Sequence, residues 1–175
     1  MKKNIRILFV MLAIALFSCI DPVSYPDEPA IKYKSFGYLD TLDELGNKIL
    51  LCRLTFECTD GDGNLGLRED DTIGRFHFDS MYYHNCFITL YEKLEGEYKK
   101  IDIPIEHNYR IPYTPPTGQS PALIADVIVK MEYPVAYFNY DTIRYEFYVV
   151  DRDFTRSNTV TTPDIFFTED VTVTK

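Results

Sequence analysis

The 175-residue chain has no Trp, only three His and eight Gly, and 18 Lys+Arg against 27 Asp+Glu. Each shortage removes something. A formal net charge of -9 leaves no basic patch for phosphates, which excludes nucleic acid as a partner. The His residues, at 77, 84 and 107, are scattered, and no HExxH, paired CxxC, GxSxG or P-loop motif occurs. With 27 acids some carboxylate pair approaches by chance, so acid content assigns no glycosidase site. No catalytic residue is named, and the expectation is a non-enzyme. Helical periodicity is also missing from every window of eleven or more residues beyond the N-terminus. What the chain has in quantity is aromatic: fourteen Tyr and twelve Phe, within a 46% hydrophobic composition too apolar for a disordered polymer.

The longest apolar run, Ile7 to Phe17, is eleven residues, short of the 20 or so that span a bilayer. It follows Lys2, Lys3 and Arg6 and precedes Ser18-Cys19, the layout of a secretory signal. A core helix would show a polar face, and this run has none. Leu16-Phe17-Ser18-Cys19 resembles the lipobox of bacterial lipoproteins, with Phe17 bulkier than usual there. The resemblance implies that Cys19 becomes the first mature residue and carries palmitate or similar chains. One acyl chain anchors only marginally, so stable attachment to a membrane needs multiple acylation. Residues 1–18 are read as signal peptide, 19–30 as lipidated Cys and tether, and 31–175 as the domain. Removing the signal takes three positive charges from a 175-residue chain, leaving 157 residues with 15 positive and 27 negative side chains, net -12.

From residue 31 the pattern alternates with period two. Leu50, Cys52, Leu54, Phe56 and Cys58 share one strand face, Leu123, Ala125, Val127, Val129 and Met131 another, and Ile143, Tyr145, Phe147 and Val149 a third. Strands are expected over 31–40, 48–59, 85–94, 97–103, 121–131, 142–151 and 158–168, with Pro163 marking an edge or bulge in the last. Hairpin turns fit 43–47 and 94–97. About seven short antiparallel strands in one domain predict an all-β, two-layer sandwich. Thr142 to Asn158 resembles the last hairpin of a fibronectin type III or immunoglobulin-like domain. The expected fold is therefore a single immunoglobulin-like β-sandwich. Tyr145 then reads either as a buried Tyr returning its hydroxyl to the backbone or as an ordinary core aromatic.

With Cys19 acylated, Cys52, Cys58 and Cys86 remain. Cys52 and Cys58 are about 20 Å apart along one strand, too far to bond each other. Either meets Cys86 only if their strands face across the core, and all three also read as small buried hydrophobes.

Residues 60–71, DGDGNLGLREDD, concentrate five acids among glycines. Oxygen-rich loops of this kind suit hard cations such as calcium. Asp60, Asp62 and Asn64 match the opening positions of an EF-hand loop. Leu65 stands where that loop needs Gly, Asp71 is not Glu, and the flanks are strands, so an EF-hand is rejected. In an immunoglobulin-like order the loop before the last strand lies at the same end, and its Asp151 and Asp153 would complete a calcium shell begun by Asp60, Asp62 and Asn64. The competing reading makes 60–63 turn residues and pairs Asp151 with Arg152 or Arg156.

Phe56-Glu57, Asp60 to Gly66, Thr142 to Glu146, Asp151-Arg152 and Ser157 to Val160 together resemble a group of small Bacteroidetes lipoproteins of unassigned function. The resemblance implies fold and envelope location, through a lipid-anchored association with the outer membrane, and no activity. Tyr109, Tyr113, Tyr137 and Tyr140 fall in connecting segments, where rings either pack on the core rim or meet a partner. Two functions follow as expectations: a non-catalytic, membrane-anchored binding or interaction module at the cell envelope, or a glycan-binding accessory of a nutrient-uptake system. The partner is an envelope protein in the first and a glycan in the second.

Overall fold

A computed structural model describes residues 24–103, 107–116 and 120–167. Nine strands make two antiparallel sheets. The first carries β1 (Ala30–Leu42), β2 (Lys48–Asp60) and β6 (Leu123–Pro134) in the order β1-β2-β6. The second carries β4 (Glu97–Lys100), β3 (Cys86–Leu94), β7 (Thr142–Val149) and β8 (Val160–Thr161) in the order β4-β3-β7-β8, with β5 (His107–Tyr109) on β3 and β9 (Ile165–Phe166) on β7. Strands one, two and six in one layer against three, four, seven and the last in the other is the Greek-key sandwich arrangement of an immunoglobulin-like fold.

The period-two pattern decides which face is buried. Along β2, Leu50, Cys52, Leu54, Phe56 and Cys58 are buried; along β7, Ile143, Tyr145, Phe147 and Val149 are. These two rows face one another across the core. Phe56 and Phe147 meet with ring centroids 5.1 Å apart, and neither is exposed. Each such ring contributes roughly 1.5–3 kcal/mol by leaving water. The β1–β2 turn is pinned by Asp43, whose carboxylate accepts the amides of Leu45 (2.9 Å) and Asn47 (2.8 Å). Lys34 sits at a bulge in β1, where the register against β2 shifts between Tyr33 and Ser35.

Several boundaries differ from expectation. β1 runs to Leu42 and β6 to Pro134, each longer than its alternating pattern. β4 stops at Lys100, where its pairing with Tyr91 to Leu94 of β3 ends. β5 was not anticipated; three residues are too few for a period to register. The expected last strand divides into β8 and β9 at Pro163, which lacks the N–H a ladder needs. The 61–85 connection contains two 3-10 turns, Gly74–Phe76 and Met81–Tyr83, and a third, Val135–Tyr137, follows β6.

Tyr145 is a core aromatic. Its hydroxyl meets that of Tyr133 at 2.9 Å instead of returning to the backbone. Cys52, Cys58 and Cys86 are all buried free thiols, and burial pushes each thiol up to about 12, far from the reactive thiolate.

Candidate functional site

The inward rows of β2 and β7 do not stop at their last apolar residues. Two positions beyond Cys58 the same face carries Asp60, and two beyond Val149 it carries Asp151. Parity therefore drives two carboxylates into the end of the core: Asp60 is fully buried and Asp151 is 3% exposed. Asp60 Oδ2 accepts the Leu65 amide at 2.7 Å, while its Oδ1 has no hydrogen-bond partner. Asp151 Oδ1 accepts the Thr155 amide at 2.8 Å and so closes the 151–155 turn. Burial raises Asp60 to about 6 against the lowering by the Leu65 amide, with the neighbouring Asp62 and Asp151 carboxylates adding to the rise. Asp151 is raised for the same first reason, burial, and by the charge of Asp153.

The two loops meet through Asn64. Its Nδ2 donates to Asp62 Oδ2 at 2.8 Å and to Asp153 Oδ2 at 3.0 Å, across 89 residues of sequence. Asn64 Oδ1 is buried with no donor. The structure thus gathers Asp60, Asp62, Asn64, Asp151 and Asp153 at one end of the sandwich. As they stand, no three acidic, His or Cys side chains among the described residues share a point where a metal would sit. The pairing expected for Asp151 is not formed with Arg152: that guanidinium binds both oxygens of Asp71. Arg156 lies over the Tyr148 ring at 3.6 Å and donates to Thr159.

The glycines are there because other segments cross the loop. A Cβ on Gly61 would lie 2.3 Å from the Tyr25 carbonyl oxygen, and the Gly61 amide donates to Pro26 O at 2.8 Å. Gly63, at φ 66°, would place a Cβ 2.0 Å from the Pro121 oxygen. The earliest described residues therefore lie against the acidic loop, at the same end as Asp151.

Around this centre the 67–85 connection is fastened by cations on rings. Arg110 donates to the carbonyls of Tyr83 (2.5 Å), Arg68 (3.0 Å) and Asp71 (3.2 Å). Arg75 lies 3.4 Å from the centre of the Phe154 ring, which stacks on Phe76. Phe154 holds φ 69°, a costly conformation for a residue with a side chain, kept by these contacts. Nothing in a period-two pattern signals them.

The opposite end is aromatic. Tyr133, Tyr137, Phe138 and Tyr140, with Asp102, Ile103, His107, Glu132 and Pro134, line a cavity of about 300 Å³. Tyr137 is 84% exposed. Of the four tyrosines singled out by sequence, Tyr137 and Tyr140 come together here. Tyr109 does not line this cavity: it packs against the core and bonds His107 Nδ1 at 3.1 Å. Tyr113 is at the acidic end, beneath Arg68. His107 borders the cavity, its Nε2 buried without a partner, and burial lowers it to about 4. Sequence reading missed this His and Asn85, whose buried side chain bonds both backbone groups of Ile111. His77 is exposed beside Phe78, with ring centroids 4.3 Å apart.

Cys19 and the signal segment lie outside the described residues. Among the described residues no helix is long and apolar enough to cross a membrane. No family model matches the chain, and comparisons with curated proteins and with solved structures return no match either.

Proposed function

We propose that this protein is a lipid-anchored, non-catalytic binding module of the bacterial cell envelope, held through Cys19 and presenting its far end to a partner. One observation carries the reading. The chain reaches the sandwich at Tyr25-Pro26 against Gly61, while the aromatic cavity opens beside Tyr133 at the other end of the same sheet. Asp60 pairs with Leu123 and Leu50 with Tyr133, so the two places are ten residues of strand, about 33 Å, apart. Cys19 stands five positions before Ser24, at most about 18 Å of chain. An anchor on Cys19 would hold the acidic end toward the bilayer and the aromatic end away from it.

Labelled palmitate supplied to producing cells should enter the wild-type protein and not a Cys19→Ser variant, which should leave the membrane fraction. A wild-type protein that is cleaved, unlabelled and freely soluble overturns the anchor. A photo-crosslinker at position 137 should capture a defined envelope component that one at position 70 does not. Capture from position 70 alone would overturn the orientation.

The second reading, a glycan-binding accessory of nutrient uptake, is favoured by the exposed Tyr137 ring beside Phe138 and Tyr140, since flat rings stack on sugar faces. Binding on a glycan array that is lost in Tyr137→Ala selects it; uniform absence of binding returns the choice to a protein partner.

A further inference from the structure

We propose that the acidic end is a calcium site, in which Asp60, Asp62 and Asn64 of one loop and Asp153 of the other close on a single ion. The inference goes beyond the binding-module reading and does not depend on the anchor.

Four carboxylates meet here, Asp60, Asp62, Asp151 and Asp153, and none has an ion pair among the described residues. The nearby cations are engaged elsewhere: Arg152 with Asp71, Arg156 with Tyr148 and Thr159, Arg68 over Tyr113. Asp62 and Asp153 are exposed, but Asp60 and Asp151 are buried, and buried charge without a counter-charge is among the costliest arrangements in a protein.

The position of Asn64 shows where the compensating charge belongs. Its amide nitrogen, the positive end of a dipole, stands between Asp62 and Asp153 at 2.8 and 3.0 Å. The negative end, Oδ1, is turned into a buried place that offers it no donor. A half-turn of the amide exchanges the two ends and points an oxygen at the same spot, where a cation would draw both carboxylates inward. Asp60 provides an independent indication. It is fully buried, faces Asp62 and Asp151, and has a free Oδ1 that no N–H or O–H satisfies. In a dry pocket an unsatisfied carboxylate oxygen of this kind is what a metal ligand looks like before the metal. Asp151, held by Thr155, adds charge from behind.

The donor set is all oxygen and asymmetric, from two loops that must move a little to close. Calcium tolerates such geometry, whereas magnesium demands a near-ideal octahedron and gives up water reluctantly. The ion would bridge the ends of β2 and β7, one from each sheet, and so lock the sandwich at the end where its hydrogen-bond ladders run out.

The test uses the full-length chain in detergent, stripped with EDTA and titrated with calcium chloride. One-to-one binding with a dissociation constant of about 0.1–1 mM is expected, as in extracellular calcium modules. Near-saturating calcium should raise Tm by about 3–6 °C. Asp62→Asn and Asp153→Asn should each abolish that calcium-dependent shift, whereas Asp70→Asn, in the same acidic run but outside the cluster, should keep it. Asn64→Asp separates the site from a hydrogen-bonded turn. It should lower the Tm without calcium and enlarge the calcium shift; an Asn64→Asp protein that is destabilised equally with and without calcium overturns the proposal. So does the absence of heat and of thermal shift at about 10 mM calcium, an undiminished shift in Asp153→Asn, or a magnesium shift as large as that of calcium.

Discussion

At the end where the chain joins the sandwich, the inward rows of β2 and β7 run out into Asp60 and Asp151; at the other end β6 and the turn after it run out into Tyr133, Tyr137, Phe138 and Tyr140. The same alternation built both. At the acidic end it continues one step past the last apolar residue and forces charge into a dry place, where the Leu65 and Thr155 amides meet only part of it. At the aromatic end it stops in rings that tolerate partial exposure, so the layers part and leave a cavity. The first arrangement is crossed closely by other segments. The second leaves a cavity beside the exposed Tyr137 ring.

The sharpest way to break the acidic end is Gly63→Ala. The new Cβ would meet the Pro121 oxygen at 2.0 Å, in a backbone conformation that already disfavours a side chain. A loss of about 3 kcal/mol or more in denaturant unfolding is expected. A loss below about 1 kcal/mol would show that the crossing of 121 over the loop is loose.

At the aromatic end, Tyr133→Phe leaves the Tyr145 hydroxyl buried without its 2.9 Å partner and should cost about 1–3 kcal/mol. Replacing both tyrosines by Phe should recover part of that loss, because no buried hydroxyl is then orphaned. If the double variant is as unstable as the sum of the two single ones, the pair is not a coupled unit.

His107 gives the aromatic end a pH dependence. Burial lowers its folded value to about 4, so between about 6.5 and 4 the unfolded chain takes up a proton that the folded chain refuses. The His107 contribution to stability should therefore fall as pH drops through that window, against an opposite contribution from Asp60, whose raised value favours the protonated folded state there. Tyr109 at Nδ1, the Tyr133 ring, and Asp102 and Glu132 at the cavity wall are the groups around it. His107→Gln should flatten the slope of unfolding free energy against pH there; an unchanged slope would assign it to carboxylates instead.

The smallest stability effect belongs to the most exposed ring among the described residues. Tyr137→Ala should move unfolding by no more than about 0.5 kcal/mol, since the side chain is 84% exposed. A large change would mean that the ring supports the cavity wall and is not displayed for a partner.

The sequence made the sandwich legible because burial on one face imposes a period that seven or more residues display clearly, as Leu50 to Cys58 and Ile143 to Val149 do. Strand ends were less legible: β5 is too short to show a period, and Pro163 splits what the composition joins. At the candidate site the acidic residues were visible and their depth was not, although extending the parity by one step would have buried Asp60 and Asp151. The tyrosines were separable only in space. Tyr109 and Tyr113 share connecting segments with Tyr137 and Tyr140 by composition, yet one lies on the core and one beneath Arg68.

By itself, then, the amino-acid order determined the alternating strands, the inward rows and the acidic loop, since these follow from local chemistry and spacing. Tertiary structure alone decided that Asn64 would touch Asp153, that Arg152 would choose Asp71 over its neighbour Asp151, and that the acids and the rings would stand at opposite ends. Those outcomes depend on how two sheets lie over one another, and a pairing across 89 residues leaves no trace in the spacing of either partner.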